Sequence, residues 1–382
     1  MTETADNVDI LIVGAGPVGM TLHLALAAGG QSSLLLDRRP AQALQDDPRA
    51  LALAHGARQL LEQIDSWPTR AATPIATIHI SQKDGFGRTL IDRTDLDLPA
   101  LGYVLRYRDL AAALAANLQA DALLSAAEIL AIAPEGDGDG VTVSMRHAGQ
   151  TRTIRCQLLI HAEGTPADEA GVTVRDYNQH AVICEVTPTP GHDQRAWERF
   201  TPDGPLALLP LGDEYSVVFT LPPAKADAVM ALDDDAFAAA LQRQFGRRLS
   251  FSRPGPRHRF PLALRLRDTL VREREVWIGN TAQTLHPVSG QGFNLGLRDA
   301  WQLAETLLTN GLDPASLRRY AAGRQLDRRA GAMFTDGVVK TFSNDFAPLK
   351  LARGLGLLAL DLCPPARHFV AKRMIWGARA WP

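Results

Sequence analysis

The chain has 382 residues, 46% of them hydrophobic and 21% charged, and its 40 basic against 42 acidic side chains leave a formal net charge of −2. A globular chain of this length buries about three quarters of its unfolded surface without staples, so two closely packed domains are expected, and the missing basic field argues against nucleic acid as the principal partner. Cys156, Cys184 and Cys363 are odd in number, far apart and in no metal-ligand spacing, which argues against zinc and for a reducing compartment.

The acidic start MTETADNVD has neither the basic region nor the cleavage site of a secretory signal, so a cytoplasmic protein is expected. No apolar run approaches the roughly 20 residues that cross a bilayer, which limits any membrane contact to the periphery. Residues 8–13 form a short, mainly apolar run and lead into GAGPVG, the helical pattern TLHLALAAGG and a second apolar run, SSLLLD, ending at Asp37. Strand, glycine turn, helix and strand in that order open a doubly wound α/β sheet. Residues 48–64 read as one long helix, with Leu53, Leu60, Leu61 and Ile64 at near-helical spacing. TIHISQKDGFGRTLID alternates around a DGFG turn and predicts a hairpin. A helix over 109–118, a strand pair around EGDGDG at 135–140 and the strand CQLLIHAEG return the chain to its first domain.

Residues 180–221 are β-rich, with proline and glycine turns and the alternation of a one-sided sheet, and an amphipathic helix over 234–249 is expected to pack on it. The strand EVWIGN, the loop TAQTLHPVSGQGF and the helix NLGLRDAWQLAETLL then repeat strand, loop and helix, so the first domain is discontinuous. Beyond Asp313 the chain reads as helical and increasingly basic.

Gly14, Gly16 and Gly19 lie on the first strand-to-helix turn, where missing side chains permit a tight bend, close approach to a pyrophosphate and close helix packing. The helix start adds unpaired N–H groups for phosphates, and Asp37 is placed to accept hydrogen bonds from a ribose. FAD and NAD share this fingerprint. The late loop decides for flavin, because Gly290 and Gly292 precede a helix beginning near Asn294 whose N-terminus can stabilise the negative charge of a reduced flavin.

The pairing of GAGPVG with GN…HPVSGQGFNLGLRDA resembles the class A FAD-dependent aromatic hydroxylases and, within them, the ubiquinone-biosynthesis hydroxylases. RALALAHGARQLLEQID, RAWERFTPDGPLALLPL and GNTAQTLHPVSGQGFNLGLRDAWQLAETL resemble the 2-octaprenyl-6-methoxyphenol hydroxylase branch, over nearly the whole chain. The resemblance implies an α/β fold: a discontinuous Rossmann-like FAD-binding domain over 6–75, 99–178 and 265–330, and an inserted, mainly antiparallel β-sheet substrate domain over 76–98 and 179–264. Residues 331–382 form a C-terminal helical basic region.

By position, the resemblance assigns Gly14, Gly16 and Gly19 to the ADP fingerprint, Asp37 to the ribose and Arg49, opening the long helix, to the flavin. Pro287 and the run Gly290, Gln291, Gly292, Phe293, Asn294 match the loop beside the flavin ring. Asn280 stands where most relatives have aspartate, and Gln283 where many have histidine, both as in the methoxyphenol branch. Glu163 and Gly164 replace the Asp-Gly pair that serves the pyrophosphate and NADPH; the longer side chain moves the carboxylate outward. Arg38 and Arg39 are placed to contact adenosine or a 2′-phosphate.

No second glycine fingerprint exists, which fits transient docking of NADPH or NADH on the FAD domain. The implied reaction uses NAD(P)H and O2 to hydroxylate a polyprenyl methoxyphenol made electron-rich by loss of its proton, in a pocket between the β-sheet and the flavin. His55, Tyr215 and His286 are the base candidates, His286 standing out because it lies in the flavin loop.

The tail carries Lys350, Arg353, Arg367, Lys372, Arg373 and Arg379 against Asp361, interleaved with Phe369, Ile375, Trp376 and Trp381. That pattern suits an anionic membrane surface or docking on other ubiquinone-biosynthesis enzymes. Two other readings stay open: a related flavin halogenase or prenyl reductase, for which no WxWxIP box is found, and a non-catalytic FAD-bearing scaffold.

Overall fold

The computed structural model describes residues 6–136, 138–344 and 346–377; residues 1–5 of the acidic start and Arg379 and Trp381 of the tail lie outside them. In β1 (Asp6–Val13) Ile10, Leu11, Ile12 and Val13 are all buried, because both faces of its sheet are covered. α1 (Pro17–Ala28) is correspondingly apolar, and β2 (Leu34–Leu36) runs parallel to β1. β3 (Ala50–Ala54), α2 (His55–Glu62), β4 (Thr73–Ile75), β5 (Thr77–Gln82), β6 (Arg88–Asp92), β7 (Gly102–Arg106) and α3 (Tyr107–Ala115) follow. The long helix expected over 48–64 is therefore a strand and a shorter helix. Alanine and leucine favour helix locally, but Leu51 and Leu53 alternate with alanines and find antiparallel partners in β7, and that pairing overrides propensity.

The chain continues through β8 (Leu123–Leu124), β9 (Glu128–Pro134), β10 (Val141–His147) and β11 (Gln150–His161). Next come β12 (Val172–Thr189), β13 (Arg195–Thr201), β14 (Gly204–Leu211), β15 (Glu214–Leu221), α4 (Pro223–Met230), α5 (Asp234–Phe245), β16 (Ser250–Ser252) and β17 (His258–Arg267). β18 (Val271–Arg272), β19 (Glu275–Trp277), β20 (Gln283–Thr284), α6 (Gln291–Asn310), α7 (Pro314–Phe342), α8 (Ala347–Leu362) and α9 (Pro364–Trp376) complete it.

One sheet has the order β18-β19-β11-β1-β2-β8, with the expected antiparallel pair β9–β10 attached to β11. Its pairings of β1 with β2 and β11, of β2 with β8 and of β11 with β19 are parallel. The C-terminal ends of β1, β2, β11 and β19 consequently share one edge, at the point where strand order reverses around β1, and such an edge forms a ligand crevice in open α/β sheets.

The second sheet runs β20-β17-β12-β15-β14-β13-β5-β6, with β16 on β12, and includes the expected hairpin as β5 and β6. Alternation divides its faces. Val182, Trp197, Leu208, Val217 and Phe219 pack with Phe237, Leu241 and Phe245 of α5. The opposite face, with Ile78, Ile80, Ala207 and Leu209, looks toward α7, α8 and α9. α8 is held on β6 by hydrogen bonds from the Thr89 hydroxyl to the Leu357 carbonyl (2.7 Å) and from the Leu90 N–H to Asp361 (2.9 Å).

Two cations that the tail pattern assigned to a membrane surface are committed internally. Arg353 donates to the carbonyls of Thr341, Phe342 and Asn344 at the end of α7, and Arg367 pairs with Asp95 at 3.0 Å. Charge counting could not separate cations that close helix ends from cations that face outward. Among the described residues no helix is long and apolar enough to cross a membrane, and no cluster of potential metal ligands occurs.

Candidate active site

The shared strand edge gathers the residues that motif reading singled out, since Gly14 follows β1, Asp37 follows β2, Glu163 and Gly164 follow β11, and Asn280 follows β19. Gly14 has φ +103°, and a Cβ there would lie 2.5 Å from the Ala162 carbonyl carbon. At Gly19 a Cβ would lie 2.0 Å from the Gly14 carbonyl oxygen, so these two glycines let α1 sit against the strand ends. Gly16 differs. A Cβ there would meet only the Tyr107 hydroxyl, at 3.3 Å, so its surface is the open one. α1 starts at Gly16 without a side-chain cap or an acidic residue in its first turn, leaving its end free to favour an anion.

Asp37 is buried and accepts from the Ala15 N–H (2.8 Å) through Oδ2 and from the Arg39 N–H (2.8 Å) through Oδ1. Burial alone would raise its pKa, but the hydrogen bonds and charge of Arg39 outweigh burial and hold the carboxyl below its ordinary value. Arg39, whose guanidinium pairs with Asp37 at 3.0 Å, is thus the engaged member of the arginine pair, and Arg38 is exposed. Arg49 precedes β3 rather than opening a helix; it makes a two-pronged pair with Asp47 and lies over the Tyr107 ring at 5.4 Å. Tyr107 is a neighbour of Gly16, Arg39 and Arg49 that motif reading missed, because nothing local marks the first residue of α3.

Glu163 turns to His161, whose Nδ1 lies 3.1 Å from its Oε1, while His161 Nε2 lies 3.0 Å from Glu275 and the imidazole stacks on Trp277. Gly164, at φ +107°, has open space beside it. The Asn280 carbonyl accepts from the Thr284 hydroxyl at 3.2 Å. Burial alone would lower the His161 pKa, but the two carboxylates outweigh it and raise the value to about 9. The folded chain therefore binds this proton more tightly than the unfolded chain, so the stabilisation is complete below about pH 6.5 and is lost as pH rises through about 9. His161→Gln is expected to flatten the fall in melting temperature over that window. An unchanged slope in melts at stepped pH would refute the coupling.

The late loop is built for rigidity. Gly290, at φ +59°, ends a short helical turn over Pro287–Ser289, and α6 begins there with no side-chain cap and no acidic residue in its first turn. Asn294 is buried, accepts from the Ala54 N–H (2.8 Å) and donates to the carbonyls of Ala52 (3.0 Å) and Gly290 (2.8 Å). Its amide pins the loop to β3. Gln291 donates to the Met374 carbonyl of α9 (3.0 Å), Phe293 packs on the core beneath α6, and Gly292 has open space around it. Behind the loop, Asp299 accepts from the Gly279 N–H (3.0 Å), the Gln283 amide and Arg324 Nε (2.7 Å).

His286 takes a different place from the one expected of a base. Its Nδ1 accepts from the Val288 N–H (3.1 Å), which fixes the proton on Nε2, and Nε2 faces Gln179 Oε1 at 3.3 Å. Burial lowers its pKa to about 4, so it is a neutral cap of the loop. Tyr215 is equally committed, donating to the Arg195 carbonyl (2.8 Å) and accepting from Trp197 Nε1 (2.9 Å) on the covered face of the second sheet. His55 is buried beside Tyr103 at the start of α2, with Nδ1 unpartnered among the described residues and its pKa lowered by burial.

A cavity of about 570 Å³ lies between the late loop, the open face of the second sheet and α7 to α9. Pro287, Val288, Gly290, Gln291 and Asn294 form one wall, and Ile78, Ile80, Ala207, Leu209 and Val218 another. A larger groove, about 1120 Å³, is lined by Arg88, Arg199, Arg247, Arg248 and Lys350 and contains none of the expected cofactor or base residues. Within the apolar cavity one acid stands out. Glu198 on β13 has an Oε1 with no hydrogen-bond partner among the described residues, and burial raises its pKa to about 8. Its signal in RAWERFT was an acid sharing the strand face of Ala196 and Phe200, which becomes informative only once that face is known to line a cavity.

Comparison with known proteins bears on the same features. The model of the family described as FAD binding domain matches residues 7–330. The ubiquinone hydroxylase UbiL of Rhodospirillum rubrum is 34% identical over 100% of this chain and 93% of its own length. The 3-demethoxyubiquinol 3-hydroxylase of Escherichia coli is 30% identical over 94% of this chain and 96% of its own. Among solved structures, p-nitrophenol 4-monooxygenase from Pseudomonas putida superposes with a TM-score of 0.78 at 16% identity, covering 98% of this chain and 99% of that one, which is a likeness of fold.

Proposed function

Since this chain belongs to the FAD binding domain family, with ubiquinone hydroxylases matching it along nearly its whole length, we propose that it hydroxylates the ring of a 2-polyprenyl-6-methoxyphenol, using NAD(P)H and O2. The chain is an FAD-dependent aromatic monooxygenase of ubiquinone biosynthesis. The observation that carries the finer reading is the apolar cavity of about 570 Å³ between the late glycine loop and the open sheet face, which suits a hydrocarbon-rich phenol.

The residues present fit the cofactor. Two helix starts, at Gly16 and Gly290, lack side-chain caps and first-turn acids, and Gly16 offers an open backbone surface. In this reading Gly14, Gly16, Gly19 and Asp37 hold the ADP side, Glu163, Gly164 and Asn280 the middle, Arg49 contacts the flavin, and Pro287 with residues 290–294 holds the ring. Bound FAD supplies the redox and oxygen-activating chemistry. The chain orients the phenol, excludes water with the aliphatic wall and keeps the loop still through Asn294. Residues 6–75, 99–178 and 265–330 make up the FAD-binding domain, and 76–98 and 179–264 the substrate domain. Met333, Phe346, Leu351, Leu355, Leu362 and Phe369, exposed on and beside α7 to α9, support arrival of the substrate from a lipid surface.

The test is to purify the yellow protein and follow NAD(P)H oxidation with and without 2-polyprenyl-6-methoxyphenol, with mass spectrometry of the product. Acceleration coupled to a hydroxylated ring is expected, and each buried methylene removed from the prenyl chain should weaken binding by about 0.8 kcal/mol. Tight FAD without turnover would favour the scaffold reading instead.

A further inference from the structure

Among the described residues, Glu198 has no hydrogen-bond partner for its Oε1. It lies on β13 with Ile80 opposite on β5 and Ala207 opposite on β14, so its side chain shares the cavity face with aliphatic neighbours. Among the described residues, β5, β14, β15, α7 and α9 line the cavity with no charged group. Among the described residues the one other charged side chain in the wall is Arg353 of α8, which is engaged with the carbonyls at the end of α7. Gln291 and Asn294 hold backbone carbonyls with their amides. An unpaired carboxyl in such surroundings destabilises the fold and persists where a ligand uses it.

We propose that Glu198 hydrogen-bonds the ring hydroxyl of a phenol bound in this cavity and accepts its proton. The phenolic O–H bond breaks, its electron pair stays on the ring oxygen, and the proton moves to the Glu198 carboxylate, to return to solvent on product release. The carboxyl is suited to that transfer. Burial among hydrocarbon raises its pKa to about 8, which narrows the gap to a phenol of about 10 and makes the accepting carboxylate the main form above about pH 8. This assignment rests on reading the cavity as the phenol site.

The first measurement needs only the wild-type oxidised holoenzyme without reductant. Ultraviolet difference spectra of bound 2-polyprenyl-6-methoxyphenol across pH should show about tenfold more phenolate at pH 8 than the free compound shows. Glu198→Gln keeps a hydrogen-bonding amide but cannot accept the proton; it should lose the extra phenolate and about 100-fold in kcat/KM at pH 8 and above, where the wild-type carboxylate is populated, with FAD content unchanged. Glu198→Asp, which keeps the carboxyl, should recover part of both. The melting temperature of Glu198→Gln should equal or exceed that of the wild type, since no native partner is lost.

No excess phenolate in the wild type, or the same phenolate and pH profile in Glu198→Gln, would overturn the assignment while leaving the hydroxylase reading intact. If the wild type binds no phenol, the cavity reading falls and the role of Glu198 falls with it.

Discussion

Gly19→Ala is expected to yield a protein that fails to retain FAD and unfolds well below the wild-type melting temperature. The added Cβ would sit 2.0 Å from the Gly14 carbonyl oxygen and 3.2 Å from its carbonyl carbon. Neither is the end of a flexible side chain, so α1 must lift from the strand ends. That helix buries Met20, Leu22, Leu24 and Leu26, and displacing it loosens the core beneath the crevice. Overpacking typically costs about 1–3 kcal/mol, and a clash with backbone belongs at or above the top of that range. Gly16→Ala is the contrast, because its Cβ meets only the Tyr107 hydroxyl at 3.3 Å and should leave folding intact while lowering FAD occupancy. Flavin absorbance per protein and thermal melts read both variants. A Gly19→Ala protein with wild-type flavin content and melting temperature would contradict the packing described here.

Arg324→Ala is expected to destabilise the protein by about 3–5 kcal/mol, the usual consequence of leaving a buried charge without its partner. Arg324 is 2% exposed, and its Nε and Nη1 donate to Asp299 (2.7 Å) and Asp327 (2.8 Å). Asp299, fully buried, would keep the Gly279 N–H and the Gln283 amide but lose its cation. Since Asp299 positions the Gly279 turn, the variant should also weaken FAD binding at Asn280, a second effect that denaturant titration of apo and FAD-saturated protein separates from the first. A loss below about 1 kcal/mol would mean that water or a rearranged side chain replaces the guanidinium. Arg298, paired with Asp327 at 2.9 Å, is the neighbour able to compensate.

The residues of the crevice were legible to different depths. Gly14, Gly16, Gly19 and Asp37 could be read from spacing, because a strand, a tight turn and a helix start are local events with local residue requirements. The same holds for the β5–β6 hairpin, announced by its turn, and for the glycine loop before α6. Asn294 was found in that loop, but its work, tying Gly290 to β3, was not, since Ala52 and Ala54 lie some 240 residues away in the chain.

Chain pattern thus determined the alternating strand–helix framework, the glycine turns and the flavin-binding class, all properties of neighbouring residues with fixed periods. Tertiary structure alone decided that ALALA is a strand, that His286 caps a loop, that Glu163 faces His161, that Arg353 closes α7 and that Glu198 stands unpaired in a cavity. Each of these depends on which distant atoms occupy the space beside a side chain. Hydrogen-bond satisfaction and burial are set by those neighbours, and no local period encodes them.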